Sequence, residues 1–226
     1  MVQAQRKTHS CVSKVLWLSH PLSPGTPAYG GGERMRIEPI TRISKGDTAN
    51  TLRYILPNHT GTHVDVPKHF FDEGPTLTDF APEFWIFENP LLIDVPCDDD
   101  YLIEPEHISG AINQKADILF LRSRFERYRE ESRYWMQNPG LSPSLGTWIR
   151  EKFLNIRAIG VDFISVTSQR HKNEGRLAHR AFLDPKGFGK AVVIIEDMSL
   201  CRIDGTLGCV CKVICTDPII LTTIGV

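Results

Sequence analysis

The chain has no excess of charge of either sign. Its 26 Lys and Arg stand against 27 Asp and Glu. Nothing in that balance would neutralise a phosphate backbone, so nucleic acid is not an expected partner. Long apolar runs are missing as well. The longest, Ala191–Ile195 and Pro218–Leu221, fall far below the roughly 20 residues that cross a bilayer, so no membrane is expected either. Cysteine is sparse, with six in 226 residues, well below the density of a disulfide scaffold. Met1–Lys14 is polar, mildly basic and without an apolar core. It reads as a tail rather than an export signal. Free thiols in a reducing cytoplasm are the corresponding expectation. No repeat, low-complexity tract or charge block occurs. The chain is 41% apolar and 23% charged, ordinary for a folded protein of this length. One domain over residues 15–226 is expected.

What is present changes character along the chain. Gly and Pro crowd the first third, as in Pro24-Gly25-Thr26-Pro27 and Gly30-Gly31-Gly32, and mark turns. Residues 15–18 and 34–43 read as short strands. Four nearly continuous apolar runs follow, at 91–95, 117–121, 157–161 and 191–195. Such runs suit strands buried on both faces. Helical patterns lie between them at 104–111, 125–135 and 142–153. In the last, Ser142 caps and Pro143 takes the first helical position. Alternation of strands and helices indicates a mixed α/β domain. Cys209, Cys211 and Cys215 share parity in an alternating stretch and read as small buried hydrophobes, with a metal or redox cluster as the alternative.

One segment concentrates chemistry. In Asn58-His59-Thr60-Gly61-Thr62-His63-Val64-Asp65-Val66-Pro67-Lys68-His69-Phe70, three histidines and an aspartate fall close together. Each can ligate a divalent metal through nitrogen or oxygen. A straight strand from His59 to Asp65 would stretch about 20 Å, far too long for convergence on one ion. The segment must therefore fold back, with Gly61 supplying the bend, or coil so that His59 and His63 meet four residues apart. Pro67 stops a long helix. His9, His20, His107 and His171 lack ligand-type neighbours and read as ordinary histidines. Glu196 directly follows a buried strand, where α/β folds often present active groups; a solvated strand-end carboxylate is the alternative. His179 sits in a helix-like stretch, and Arg170–Arg176 before it reads as a polar, flexible loop.

Residues 59–70, His-Thr-Gly-Thr-His-Val-Asp-Val-Pro-Lys-His-Phe, resemble the signature His-x-Gly-Thr-His-x-Asp-x-Pro-x-His of the cyclase family that includes bacterial kynurenine formamidases and isatin hydrolases. Every fixed position is met. Leu18-Ser19-His20-Pro21, Leu141-Ser142, Ile159-Gly160-Val161-Asp162, Ser165-Val166, His179 and Ile194-Ile195-Glu196 resemble its other blocks. The resemblance implies a swivelling β/β/α-type single domain with a mixed sheet and flanking helices. It implies His59, His63 and Asp65 as metal ligands, with His179 and Glu196 completing a second position and Asp65 bridging. One or two ions, zinc or manganese, are implied; the mixed nitrogen and oxygen donors also suit these better than magnesium. His69 would be the general acid/base and Tyr29 an aromatic of the substrate pocket.

The chemistry agrees with that assignment. A bound cation lowers the pKa of water toward neutrality and polarises a carbonyl, and an imidazole can take a proton from water and return it to a departing nitrogen. The leading expectation is hydrolysis of the C–N bond of a small aromatic amide such as N-formylkynurenine, an arylformamidase of tryptophan catabolism. Alternatives are a cyclase or dehydratase, an isatin-type lactam hydrolase, or a non-catalytic metal-binding or ligand-binding protein. Relatives are dimers or larger homo-oligomers, and Pro218–Val226 is expected at an interface. Two positions depart from the pattern: Trp17 and Thr167 stand where many relatives carry Asp. The metal positions are intact, so these departures bear on the substrate pocket.

Overall fold

The computed structural model describes residues 15–203 and the strand Val213–Ile214. Met1–Lys14, Cys209, Cys211, Cys215 and Pro218–Val226 lie outside the described residues. The strands, in chain order, are β1 (Arg36–Thr41), β2 (Thr51–Ile55), β3 (His63–Asp65), β4 (Ile86–Phe87), β5 (Pro90–Asp94), β6 (Leu102–Ile103), β7 (Ile118–Arg122), β8 (Gly140–Leu141), β9 (Ala158–Val161), β10 (Val193–Glu196) and β11 (Val213–Ile214). The α-helices are α1 (Ser132–Met136), α2 (Pro143–Lys152) and α3 (Lys172–Leu183). The centre is a five-stranded sheet in the order β3-β10-β9-β7-β5. Its β10, β9, β7 and β5 run parallel, while β3 is antiparallel to β10. This is the expected mixed α/β fold.

The apolar runs are continuous because both faces of the sheet are covered. Leu119, Leu121, Ile159, Val161 and Ile194 pack with α2 and α3 through Leu145, Ile149, Ala178 and Phe182. Their neighbours Ile118, Phe120, Ala158, Val193 and Ile195 pack against Phe87, Met198 and Leu200 on the other face. Burying each such aliphatic side chain contributes about 1.5–3 kcal/mol. All four expected sheet runs are strands, displaced by at most two residues at a boundary. The Ser142 hydroxyl accepts the Leu145 N–H at 3.2 Å, and α2 begins at Pro143. Among the described residues, no helix is long and apolar enough to cross a membrane.

Four local expectations need correction. The segment 104–111 keeps only one 3-10 turn, Pro105–His107; so short a helix gains little on its own, and Ile108 turns into the core. The segment 125–135 splits into a 3-10 turn, Phe125–Tyr128, and the short α1. Glu131 is extended between them, and Glu126 and Arg129 are drawn to buried partners. Tertiary contacts thus override helix propensity. Arg170–Arg176 is not a loop throughout, because α3 starts at Lys172. Residues 15–18 form no strand; the nearest pairing is an isolated bridge, Ser19 to Met198. Residues 34–43 do contain β1, which pairs with β2.

Candidate metal centre

The signature is a bend followed by an edge strand. Gly61 has φ +69°, and a side chain there would strike Leu22 at 2.4 Å. His59 also takes a left-handed backbone, at φ 60°. The chain folds back here and then enters β3. Period-two alternation puts His63 and Asp65 on one face. The antiparallel register sets His63 opposite Glu196 and Asp65 opposite Ile194. Pro67 opens a 3-10 turn that ends at His69, and this turn swings the third imidazole back beside the first. From the far side, α3 presents His179. Gly175 lets that helix settle on the 165–168 loop, since a side chain there would meet the Thr167 Cα at 2.5 Å.

The side chains converge. His59 Nδ1 lies 3.0 Å from both His63 Nε2 and Asp65 Oδ1. His63 Nε2 lies 3.4 Å from Glu196 Oε2 and 3.7 Å from Asp65 Oδ1. His179 Nε2 lies 3.5 Å from Asp65 Oδ2 and 3.4 Å from Glu196 Oε1. The rings of His59 and His69 are 4.2 Å apart. Two sets of potential ligands emerge, His59 with Asp65 and His69, and His63 with Asp65 and Glu196; within each, the ligand atoms lie within 4.8 Å of one another. Asp65 belongs to both.

Neighbours orient these groups. His63 Nδ1 is 2.8 Å from the Gly61 carbonyl and His179 Nδ1 is 2.9 Å from the Gly175 carbonyl. A carbonyl only accepts, so each Nδ1 carries a proton and each Nε2 is the nitrogen that faces the cluster. Phe70 stacks on His179 at 4.8 Å. Glu196 Oε1 accepts the Val166 N–H at 2.7 Å and the Ser165 hydroxyl at 3.1 Å, which leaves Oε2 facing His63. Sequence reasoning had not foreseen Thr62, Arg129, Tyr134, Asp197 or the Val166 amide. The only sequence signal was a pair of successive carboxylates, Glu196-Asp197, at the end of a buried strand.

In the pocket, buried imidazoles and carboxylates shift one another. Burial disfavours charge on His179, yet its contacts with Asp65 and Glu196 outweigh this and raise its pKa to about 10. His59 is raised for the same reason, chiefly by Asp65 acting against burial. Asp65 is lowered: burial would raise it, but the surrounding imidazoles prevail. His69 moves the other way, because desolvation lowers it despite Asp65. Burial and the Glu196 charge push the Tyr29 phenol to about 12. Its hydroxyl is buried without a hydrogen-bond partner. Trp17 is exposed on the surface.

These residues fit a divalent cation. Ligands about 2.0–2.2 Å from one ion stand no more than about 4.4 Å apart, and the imidazole–carboxylate separations above fall inside that limit. Several are too long for good hydrogen bonds. Asp65 Oδ2 and His59 Nε2 are buried and unpartnered, which a ligand would remedy.

Facing imidazoles and carboxylates gathered where β3 meets β10 define a class: α/β proteins with a preformed candidate site for a divalent ion. The profile of the Cyclase family, described as "Putative cyclase", matches residues 16–168, and the chain belongs to that family. His179 and Glu196 lie beyond the matched segment, and it is geometry that joins them to the signature. The chain is 26% identical over 198 residues to Cyclase-like protein 1 of Arabidopsis thaliana, covering 83% of this chain and 73% of that protein. Its fold is similar to that of isatin hydrolase A from Labrenzia aggregata, with a TM-score of 0.68, 22% identity, and 84% of this chain and 83% of that chain covered. A potential metal-dependent hydrolase with cyclase activity is similar at a TM-score of 0.64 and 20% identity, with 85% of each chain covered.

Proposed function

We propose that this protein is a metal-dependent hydrolase that opens the C–N bond of a small aromatic amide or lactam. The reading rests on one observation above all: three imidazoles and two carboxylates from three separate chain segments face one another, with Asp65 within 3.7 Å of His59, His63 and His179 and Glu196 within 3.4 Å of the last two. His59, His63, Asp65, His179 and Glu196 would hold the ion or ions, zinc or manganese. Such an ion supplies an acidified water and a Lewis acid for a carbonyl.

The remaining work falls to the chain itself. His69 is exposed, stands beside His59 and has a lowered pKa, so it is neutral at pH 7. It can accept a proton from water and deliver it to the departing nitrogen. The Tyr29 hydroxyl stays protonated across the physiological range and has no internal partner, leaving it free to donate to a polar atom of the substrate.

N-formylkynurenine is the first substrate to try. Isatin is the second reading, favoured by the fold shared with isatin hydrolase A. A homo-oligomer belongs to the same proposal: β1 and β2 pair with each other and carry exposed Ile40, with exposed Ile43 in the turn between them, apolar surface that a second copy would cover. Metal analysis of the purified protein, joined to hydrolysis assays on both compounds, tests the function. Stoichiometric zinc or manganese with turnover of either compound is expected; a metal-free protein inert toward both after loading would refute it.

A further inference from the structure

Immediately behind the candidate metal centre lies a second buried charged cluster that the proposed reaction does not use. Asp197 follows Glu196 and is 1% exposed. Its carboxylate receives a two-pronged grip from Arg129, with Nε 2.9 Å from Oδ1 and Nη2 2.7 Å from Oδ2. The Tyr134 hydroxyl donates to Oδ1 at 2.6 Å. The Asp197 backbone is tied as well: its N–H donates to the Phe163 carbonyl at 3.0 Å, and its carbonyl accepts the Thr62 hydroxyl. Thr62 in turn accepts the His20 N–H at 2.9 Å. Asp197 thus continues the strand carrying Glu196 and is hydrogen-bonded to the segment after β9 and to the bend carrying His59 and His63.

The backbone at Asp197 is unusual. Its φ is 51°, a left-handed conformation that a residue with a side chain keeps only when its surroundings enforce it. This turn ends β10 at Glu196 and sends the chain to pair Met198 with Ser19. A different φ at Asp197 would swing the neighbouring peptide and, with it, the aim of the Glu196 carboxylate. Arg129 and Tyr134 reach this point only because residues 125–135 give up a continuous helix. An ion pair serving stability alone needs neither the left-handed backbone nor a seat beside a candidate ligand.

We propose that Arg129, Tyr134 and Asp197 are positioning residues: they lock the left-handed turn after Glu196 and, through Thr62, hold the two ligand-bearing segments in register for a divalent cation. This inference rests on the metal reading of the site. The test is titration of metal-free full-length protein with Co2+ alone, following its visible absorption, beside a thermal melt of each metal-free variant. Asp197→Gly tolerates the backbone but lacks the carboxylate; it is expected to weaken Co2+ binding at least about tenfold and to shift the absorption bands, as loss of groups that orient ligands does elsewhere. Tyr134→Phe, nearly isosteric, is expected to weaken it by a smaller factor that still exceeds twofold, and it decides the matter if the glycine variant does not fold. Folded variants that bind Co2+ within twofold of the parent, with unchanged spectra, would overturn the positioning role alone. A parent protein that binds no Co2+ would overturn the metal reading and this inference with it.

Discussion

Glu196 and Asp197 are adjacent carboxylates, both almost fully buried, and their surroundings are opposite. Asp197 is saturated, with three short charge-assisted or phenolic bonds at 2.6–2.9 Å. Glu196 is held on one oxygen by Val166 and Ser165, while its other oxygen looks at His63 across 3.4 Å. A finished network resists removal of any member. A carboxylate with an oxygen left for a further partner can take one in. One residue of chain separates a carboxylate closed in an ion pair from one that faces the histidine cluster, and the difference is visible only in the partners each carboxylate meets.

Several interventions should break or sharpen that contrast. The largest effect is expected at the open cluster: His69→Ala should lower turnover by about 10²–10⁴-fold, the usual contribution of general acid–base catalysis, while metal content measured by mass spectrometry stays at the parental level. Equal loss of metal would recast His69 as a ligand. At the closed cluster, Arg129→Ala leaves a buried carboxylate unpaired and should cost about 3–5 kcal/mol in urea unfolding. A loss under about 1 kcal/mol would mean that the pair is not buried as described. Metal added to metal-free protein at one hundred times its Kd should stabilise folding by about 2.7 kcal/mol, and Glu196→Gln should abolish most of that gain.

The pH dependence follows from His179. Its folded pKa, about 10 against 6.5 for the free side chain, is raised. In metal-free protein its contribution to stability is therefore complete below about pH 6.5 and is lost as pH rises toward 10. Metal affinity runs in the opposite direction across the same window, tightening as the competing proton leaves. Melting curves of metal-free and metal-loaded protein at several pH values should diverge accordingly; parallel curves would contradict the shared occupancy. The smallest effect is remote from both clusters. Ser142→Ala removes the cap of α2 and should cost about 1 kcal/mol, with Co2+ affinity unchanged.

Much of this molecule was legible beforehand, for identifiable reasons. The buried strands read directly from their apolar runs because burial on both faces leaves no alternation to misread. Ser142 and Pro143 announced α2 through local capping chemistry. The bend at Gly61 followed from the need for three side chains, His59, His63 and Asp65, to converge. Legibility failed where distant partners set the conformation. Residues 125–135 have a helical composition, but Arg129 and Glu126 are claimed by Asp197, Ser199 and Cys201, which lie some seventy residues away. Strand β3 is hidden because its three residues are two ligand types around one valine, and only pairing with β10 makes them a strand. The Val166 amide that holds Glu196 and the Gly175 carbonyl that holds His179 are backbone groups, and no residue type advertises those.

The central claim is that Asp65 of β3 and Glu196 of β10 hold a divalent cation together with an imidazole, His63 or His179. Crystals soaked in Mn2+ and measured for anomalous scattering address it directly. A strong peak within about 2.0–2.4 Å of ligand atoms from His63, Asp65 and Glu196, or from Asp65, His179 and Glu196, is the expected result. A map empty there, with Mn2+ bound elsewhere or nowhere on the chain, would contradict it.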